Sequence, residues 1–569
     1  MPLPPSTEYS ALHFRISKKM TESLKSSHRS MVVVKALSPK KITTNIPVVS
    51  GSVTIDRTSK DFRRSISFVT NDELLIPHND YDPLNIYGQH IFAYRGVLWD
   101  PTRIPQQLWD SEAHIPDWLL RFDNLVDENG KPKENIPQWA IDLAENPPYE
   151  LIPLGVFRIN TVQIDEPNEA QLQINVTGAD ISNNIGRNHW TSPVTVWTKK
   201  YSVPVSKTDT TPEQTYVVGT ASTPGTIQEA IKILIKDRWP LRSPVFGEPT
   251  FNFAGNADAK LTSPIIMGAR TVSSSGSNSP WTDITGLATA LGAELFVDRD
   301  GKFTLKSIDD PNTVQACWSF RDGENGLLTN VSKKLDDSKS VNYVIATGEN
   351  TATKKPLKAI AFDGDPNSPT YYLGEYGRTI GYEPGRKKLT TQAMVQNAAD
   401  KYLNAFIGGD ETTTLEGICN PAIDAGDVVL VRRKRVGIFD EDTVVGGLTA
   451  DTGKKTITKI SVNGISMFIP KGKQLVLYTD AGSETITVAD DVSIGAKTIS
   501  INPITPTLDY RKGTAVLDPS VPSDGSIPYY VEKVTIPLEP QTAMSLTCRA
   551  RRSGTKQDII RSAEYSQGY

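Results

Sequence analysis

The sequence predicts a β-rich α+β protein of several domains: two β-barrel-like domains, a small α+β domain and an inserted β-module. Three observations carry this. The chain has 569 residues, and at roughly 150 residues per domain that length predicts about three to five domains. β-branched and polar residues alternate with period two from about residue 32 to 178 and again beyond about residue 416, the pattern of half-buried strands. Helical periodicity opens at only three places, near Thr226, Thr282 and Thr390.

Residues 1–30 read as an N-terminal extension. The first β-domain, 31–200, contains the alternating runs Ser52–Asp56 and Arg64–Val69, then Gly155–Ile159 and Gln171–Val176. An insertion, 99–150, interrupts it. That insertion is proline-rich, holds Trp99, Trp109, Trp118 and Trp139, and has eleven carboxylates against four basic side chains. Tryptophan with carboxylates can form a sugar platform, but the mixture fits packing or a subunit or host contact better, because aromatic residues concentrate at interfaces.

The small α+β domain, 201–330, begins its first helix at Thr226-Ile227-Gln228-Glu229, a capping box, and Pro240 ends it. A second helix is expected to start at Thr282 or Asp283 and stop at Gly292. The hairpin Ala293–Lys306 follows, its Asp300-Gly301 pair suiting a type I′ turn. Between the helices, Ser273–Ser279 is read as a flexible loop. A third helix, Thr390 to Ile407, lines up Val395, Ala398, Ala399, Tyr402, Leu403 and Phe406 before Gly408-Gly409. It belongs with a second β-domain, 331–438 plus 525–552, whose strands include Val428–Val431, Tyr530–Leu538 and Met544–Ala550. The module 439–524 splits that domain. Gly453–Thr458 echoes Gly495–Ser500 within it, and Glu484–Val488 alternates similarly. Residues 553–569 have little apolar content and read as a mobile tail.

Charge and composition exclude several classes. Hydrophobic residues make up 38% of the chain beside 40 glycines, which excludes wholesale disorder. The formal net charge is −4, so no long-range positive field gathers nucleic acid or an anionic membrane. Cys317, Cys419 and Cys548 are far apart and all six histidines lie at or before His189, which disfavours a disulfide framework and a zinc site. No secretion signal is expected, and no apolar stretch of about 18 residues suits a membrane span.

The usual enzyme motifs are missing: no phosphate loop, His-Glu-x-x-His, nucleophile elbow or Cys-x-x-Cys. Catalytic residues, metal ligands and cofactors are therefore expected to be none. Glu294, Asp298 and Asp300 are a conceivable acid cluster for glycoside hydrolysis, but turn chemistry explains the aspartates better. His78-Asn79-Asp80-Tyr81-Asp82 reads as a polar loop rather than a metal site. Arg432-Arg433-Lys434-Arg435 and Arg549, Arg551 and Arg552 end strands, and read as solvated ends or subunit contacts ahead of a phosphate track.

Three segments carry a resemblance. Ser50-Gly51-Ser52-Val53-Thr54-Ile55-Asp56-Arg57-Thr58 through Ile66-Ser67-Phe68 resembles siphophage minor tail proteins. The helix–hairpin unit ending in Asp298-Arg299-Asp300-Gly301, and Asn420-Pro421-Ala422-Ile423-Asp424-Ala425-Gly426-Asp427-Val428-Val429 after a long helix, are similar to the phage tail hub pattern. The resemblance covers most of 31–435 plus 529–552. It implies a homotrimer at the distal end of a virion tail, in which two hub domains per chain give six similar surfaces facing a hexameric tube. It also implies the tail tube or distal tail ring, other tip proteins, a tape-measure protein and the host surface as partners. A role in host attachment or genome passage follows from that position.

Sheet extension between copies offers a way to join them. Val53, Ile55, Ile66, Phe68, Val429, Val431, Arg432, Arg433, Val531 and Val534 are the expected subunit-contact positions, with Trp109, Trp118 and Trp139 for the host or tip proteins. Two alternatives stay open. One is a carbohydrate-binding or glycan-hydrolysing protein using the 99–150 insertion; the other is an adhesin acting through 439–524.

Overall fold

The computed structural model describes residues 16–26, 28–59, 62–103, 141–142, 146–166, 172–190, 194–198, 214–220, 222–240, 247–253, 255, 258–261, 265–267, 279–307, 314, 316–321, 327–336, 340–350, 355–364, 366, 368, 370–383, 389, 391–406, 411–432, 444–446, 456–462, 469–479, 482–493, 496–505, 507, 514–517 and 527–550. Two compact units divide the chain. The first is Met1–Val314, Asn330–Asp427 and Val531–Tyr569; the second is Gln315–Thr329 and Val428–Tyr530.

In chain order the elements begin with α1 (Lys18–Leu24), β1 (Arg29–Leu37), β2 (Thr43–Asn45), β3 (Ser50–Asp56), β4 (Arg64–Thr70), β5 (His90–Leu98), β6 (Tyr149–Asp165) and β7 (Gln173–Asp180). Next come α2 (Ser182–Arg187), β8 (Val194–Trp197), β9 (Gln214–Val217), α3 (Ile227–Arg238), β10 (Phe251–Asn252), β11 (Ile265–Met267), α4 (Pro280–Ala290), β12 (Ala293–Val297) and β13 (Phe303–Ser307). They continue with β14 (Ala316–Arg321), β15 (Leu328–Leu335), β16 (Tyr343–Glu349), β17 (Pro356–Phe362), β18 (Ile380–Glu383), α5 (Gln392–Phe406), β19 (Glu411–Gly417) and β20 (Val428–Arg432). Last are β21 (Val444–Gly446), β22 (Ile457–Val462), β23 (Gln474–Thr479), β24 (Gly482–Thr487), β25 (Thr498–Ile504), β26 (Thr514–Leu517), β27 (Ile527–Pro537) and β28 (Met544–Ala550). The protein is β-rich with few helices, as its residue pattern predicts.

The first unit is built on one large sheet in the order β15-β19-β28-β27-β3-β4-β7-β6-β5-β1-β2. Strands from the two ends of the sequence meet side by side, because β3 pairs antiparallel with β27 through Val53↔Ile536 and Ile55↔Val534. β3 then pairs with β4 through Val53↔Ile66. The alternation in these strands sends Val53, Ile55, Ile66 and Phe68 inward, all buried; each such side chain contributes roughly 1.5–3 kcal/mol. No backbone ladder closes this sheet into a barrel among the described residues.

The helices and small sheets of the same unit follow their local chemistry. Thr226 and Glu229 cap α3 reciprocally as the sequence predicts. The second helix starts earlier than expected, at Pro280 rather than Thr282 or Asp283. Proline at the first helical position lacks only an N–H that has no helical partner anyway. Asp283 instead accepts the indole N–H of Trp190 at 3.0 Å. Trp190, Trp239, Trp281 and Phe303 share one apolar core with α3 and α4, in which Trp239 meets Phe303 edge to face with ring centroids 5.7 Å apart. On α5 the expected stripe buries Val395, Ala398, Ala399 and Leu403 against β16 and β17. A Cβ at Gly348 would stand 2.2 Å from the Leu389 carbonyl oxygen, so only glycine permits that approach.

In the second unit β20 pairs in parallel with β14 and antiparallel with the first residues of β27, Val428↔Tyr530 to Val431↔Ile527. The strands flanking the insertion are neighbours, as expected. The insertion itself forms a six-stranded sheet, β24-β23-β26-β21-β22-β25. Its two echoing segments contribute β22 and β25, which pair through Ile460↔Ile499 over a core that includes Leu475, Leu477, Ile486 and Ile501.

Candidate functional site

The three segments that resemble tail hub proteins converge in one buried charged junction of the first unit. Its first contributor is the tip of the β12–β13 hairpin. The turn there is not the type I′ turn expected for Asp300-Gly301. The Asp298 N–H donates to Lys302 O at 2.9 Å and the Gly301 N–H to Asp298 O at 3.2 Å, and Gly301 alone of the pair has positive φ, +80°. That is a type I turn followed by a glycine bulge. Its extra residue aims Arg299, 4% exposed, inward.

The second contributor is the segment from Cys419 to Asp427, buried throughout without being helix or strand. Buried backbone outside regular structure needs explicit hydrogen-bond partners, and these are supplied residue by residue. Arg299 donates to Pro421 O and, at 2.7 Å, to Ile423 O. Arg63 donates to Ala425 O. Asn420 accepts the Ala422 N–H at 3.0 Å, Asp427 accepts that of Asp424 at 2.7 Å, and Gly426 donates to Val531 O at 2.8 Å.

β4 and the end of β3 complete the junction. Arg64, 1% exposed as a side chain, places Nη2 2.5 Å from Asp424 Oδ2, while Arg299 Nε lies 3.3 Å from the same oxygen. Arg64 also donates to Leu154 O at 3.2 Å and Val297 O at 3.3 Å. Glu294 is held by Arg57 and by Arg63 at 3.1 Å. Burial pushes the Glu294 carboxyl up, but the two guanidiniums overcome this and hold it below the ordinary value. Burial lowers the pKa of Arg299, with Asp424 opposing. Asp180, which accepts the N–H groups of Arg63 and Arg64 at 3.1 and 2.9 Å, is pushed up by burial against those bonds.

A second arginine clamp bends the large sheet. Arg95 on β5, 2% exposed, donates to Pro537 O, to Glu539 O at 2.9 Å, to Pro540 O at 3.0 Å and to Thr542 O at 3.3 Å, across the turn between β27 and β28. In the sheet order β6, β7, β4 and β3 lie between β5 and β27, so this span requires the sheet to curl. Among the described residues the roll is held by a side chain rather than by a ladder.

The expected contact residues lie mostly in the interior. Val53, Ile55, Ile66, Phe68, Val531 and Val534 are buried in the first unit, and Val429 and Val431 in the second. β3 and β4 are each paired on both sides. Arg432 continues β20 opposite Arg321. Arg433, Trp109, Trp118 and Trp139, with the remaining basic residues at 434–435 and 551–552, lie outside the described residues, as do most of 1–30, the 273–278 loop, Gly408-Gly409 and the 553–569 tail. Arg549 is buried, 3.5 Å from Glu532. It is occupied within the chain rather than set out for phosphate.

Sequence reasoning singled out none of Arg64, Arg95, Arg299 or Asp424 as individual functional residues. A readable signal existed for two. Arg64 stands in phase with Ile66 and Phe68, and Arg95 with Ile91 and Ala93, each a charge at an inward position of a period-two strand.

The junction has no acid–base pair poised for catalysis. Glu294 is spent on two arginines, Asp298 accepts turn N–H groups at 2.8 and 3.0 Å, and Asp300 pairs with Lys302 at 3.5 Å. Around His78, Asp82 accepts the N–H groups of His78 and Asn79 at 2.7 and 2.6 Å, a closed polar loop. Among the described residues no group of three His, Cys, Asp or Glu could hold a metal, and no helix is long and apolar enough to cross a membrane.

No family model matches the sequence, and no curated protein matches it. Among solved structures the chain is similar to the tail protein from Neisseria meningitidis MC58, with 9% identity over 91% of this chain and 96% of that one and a TM-score of 0.42. It is similar to the 43 kDa tail protein of prophage MuSo2 from Shewanella oneidensis, with 9% identity over 92% and 98% and a TM-score of 0.41. Prophage tail protein gp18 from Listeria monocytogenes EGD-e matches with 10% identity over 83% and 94% and a TM-score of 0.35. The first is described as a tail protein and the other two as prophage tail proteins.

Proposed function

We propose that this chain is a structural, non-enzymatic protein of a bacteriophage tail, positioned at its distal tip as a trimeric hub. Three copies form a ring, and two β-regions per copy present six similar surfaces to a hexameric tube, matching a threefold to a sixfold partner. One observation carries the reading: the two distant β-regions are joined strand to strand at β3–β27 and locked by the Arg64–Asp424–Arg299 junction. A single polypeptide thereby supplies a two-part wall segment as one body. The buried valines, isoleucines and Phe68 hold that wall together. Neighbouring copies meet its ends, at β15 and at β1–β2, rather than those interior positions. The 99–150 insertion with Trp109, Trp118 and Trp139, and the 439–524 module, supply contacts to other tip proteins or the host surface.

The mass of the purified chain in solution tests the ring. A species at about three times 62.4 kDa is expected. A monomer at every concentration up to the solubility limit, with or without tube protein, would overturn the hub.

A further inference from the structure

We propose that one end of the large sheet is a docking surface for a protein partner whose contact face is apolar and basic; this rests on the tail-tip reading and assigns the surface that meets the neighbouring ring. Strand direction defines that end. Leu37 at the close of β1 lies opposite His90 at the start of β5, Ser50 at the start of β3 lies opposite Val69 near the close of β4, and Asp165 closing β6 lies opposite Gln173 opening β7. The connections 38–49 and 71–89 therefore emerge together with the end of β6.

Twelve large hydrophobic side chains are exposed among the described residues, and seven of them lie here. Leu74 is 90% exposed, Tyr87 64% and Ile42 60%, joined by Val49, Tyr81, Ile86 and Ile164. Single exposed hydrophobes need no explanation, but a gathering at one end marks an interaction site. None of the other five belongs to strands β1–β7 or their connections.

The loops that carry these tips are built and anchored. Leu75 and Leu84 are buried beneath them. Asp72 accepts the Leu74 N–H at 3.0 Å, and Gln89 donates to the carbonyls of Asp80 and Asp82 at 2.8 and 3.0 Å. Lys40 Nζ sits 4.0 Å from the centre of the Tyr81 ring, tying one loop to the other. Presenting apolar tips on ordered loops lowers the ordering penalty of association.

Charge selects the partner. The described residues of these two connections and of the end of β6 carry six carboxylates, Asp72, Glu73, Asp80, Asp82, Asp165 and Glu166, against two lysines, Lys40 and Lys41. Hydrogen bonds from the Asn79 and His78 N–H groups lower the pKa of Asp82 and keep it ionised. Such a surface repels anionic lipid headgroups and nucleic acid and attracts a protein face bearing Lys or Arg around apolar pockets.

Tailed particles assembled with the full chain carrying a photo-crosslinking benzoylphenylalanine at Leu74 or Tyr87 test the proposal. Thr58, exposed on the turn at the opposite strand end, is the control position. Mass spectrometry of purified particles first reads whether the chain is present. Its absence would end the tail-tip reading and this inference with it. With the chain present, Leu74 and Tyr87 are expected to yield adducts with one other particle protein, through a Lys- or Arg-bearing peptide, about tenfold above Thr58. Adducts only with the chain itself, with lipid, or at equal yield from all three positions would overturn the surface alone. Tyr87→Lys is expected to lower incorporation about tenfold with thermal unfolding unchanged; unaltered incorporation would count against an electrostatic fit.

Discussion

Asp424→Asn isolates the charge at the centre of the junction while keeping its shape. The carboxylate is 10% exposed as a side chain and lies 2.5 Å from Arg64, 3.3 Å from Arg299 and 3.9 Å from Arg63. At an effective dielectric constant of about 20, a unit pair about 4 Å apart attracts by about 4 kcal/mol. The amide removes the Asp424 attraction for all three guanidiniums at once; Arg63 keeps Glu294, while Arg64 and Arg299 lose their direct carboxylate partner and keep only the fields of Asp180 and Asp427. The carbonyls of Pro421, Ile423, Leu154 and Val297 still accept hydrogen bonds but carry no net charge. Stranding a buried charge costs about 3–5 kcal/mol, a large share of the 5–15 kcal/mol that typically holds a native fold. Urea unfolding read by tryptophan fluorescence should register that loss. Hydrogen exchange should rise together in 294–306, 419–427 and the start of β4. Asp300→Asn is the control: its pair with Lys302 is about half exposed on both sides, at 3.5 Å, and is worth less than about 1 kcal/mol. Pairing Asp424→Asn with Arg64→Met should recover part of the loss, since one stranded charge goes with the arginine. Equal stability of Asp424→Asn and Asp300→Asn, within about 0.5 kcal/mol, would refute the claim that Asp424 neutralises the junction.

Two further perturbations act on the same unit. Burial first, then the Arg158 charge, lowers the pKa of His90 to about 4, below the ordinary value of about 6.5. The unfolded chain thus binds the proton first, so stability is lost as pH falls from about 6.5 to about 4, by up to about 3 kcal/mol. Urea midpoints across that range should slope accordingly, and His90→Phe should flatten the slope. Arg95→Met strips donors from the carbonyls of Pro537, Glu539, Pro540 and Thr542 and should cost roughly 3 kcal/mol or more. Cys419 is buried beside Arg95, and losing that cation disfavours its thiolate, so alkylation faster than in the wild type would report opening of the roll; hydrogen exchange in 537–542 that stays at the wild-type level would mean that the roll is held closed without Arg95.

Much of the fold was legible because the deciding information is local. Thr226 and Glu229 announce α3 through a reciprocal cap, Val395 to Leu403 mark one face of α5, and alternation in 52–56 and 64–69 finds β3 and β4. The start of α4 is harder to locate, because Thr282 and Asp283 are polar residues that suit a cap while Pro280 already fills the first helical position. The turn type at Asp300-Gly301 escapes local reasoning for a related reason. The dipeptide fits both turns, and what selects the glycine bulge is the inward demand for Arg299 at Asp424, a partner 125 residues away. The junction itself was beyond local reasoning, since its members come from β4, a hairpin tip and a buried loop. A sequence ranks positions by hydrophobicity, and that ranking puts the expected contacts on Val53, Ile55, Ile66 and Phe68, whose burial is satisfied inside one chain.

The way the large sheet is closed bears on how copies could join. A sheet rolled into a barrel by a backbone ladder has no edges left, and it can meet neighbours only through side chains. Here Arg95 holds the curl by reaching four carbonyls at the β27–β28 turn, so the sheet order still ends in two unlike strands, β15 and β2. Unlike ends suit head-to-tail contact, the type that generates rings when the rotation closes and filaments when it does not. β2 has three residues and pairs with β1 only from Lys35 to Leu37, while β15 carries Lys333 and Lys334 beside exposed Leu335. Shortness and lysine are the usual guards against unplanned edge pairing. An edge guarded in this way favours a partner that brings compensating charge or shape over indiscriminate strand pairing. Under the ring proposal, the arginine clamp and the guarded edges are parts of one solution: curvature fixed within the copy, and pairing capacity kept for the next copy.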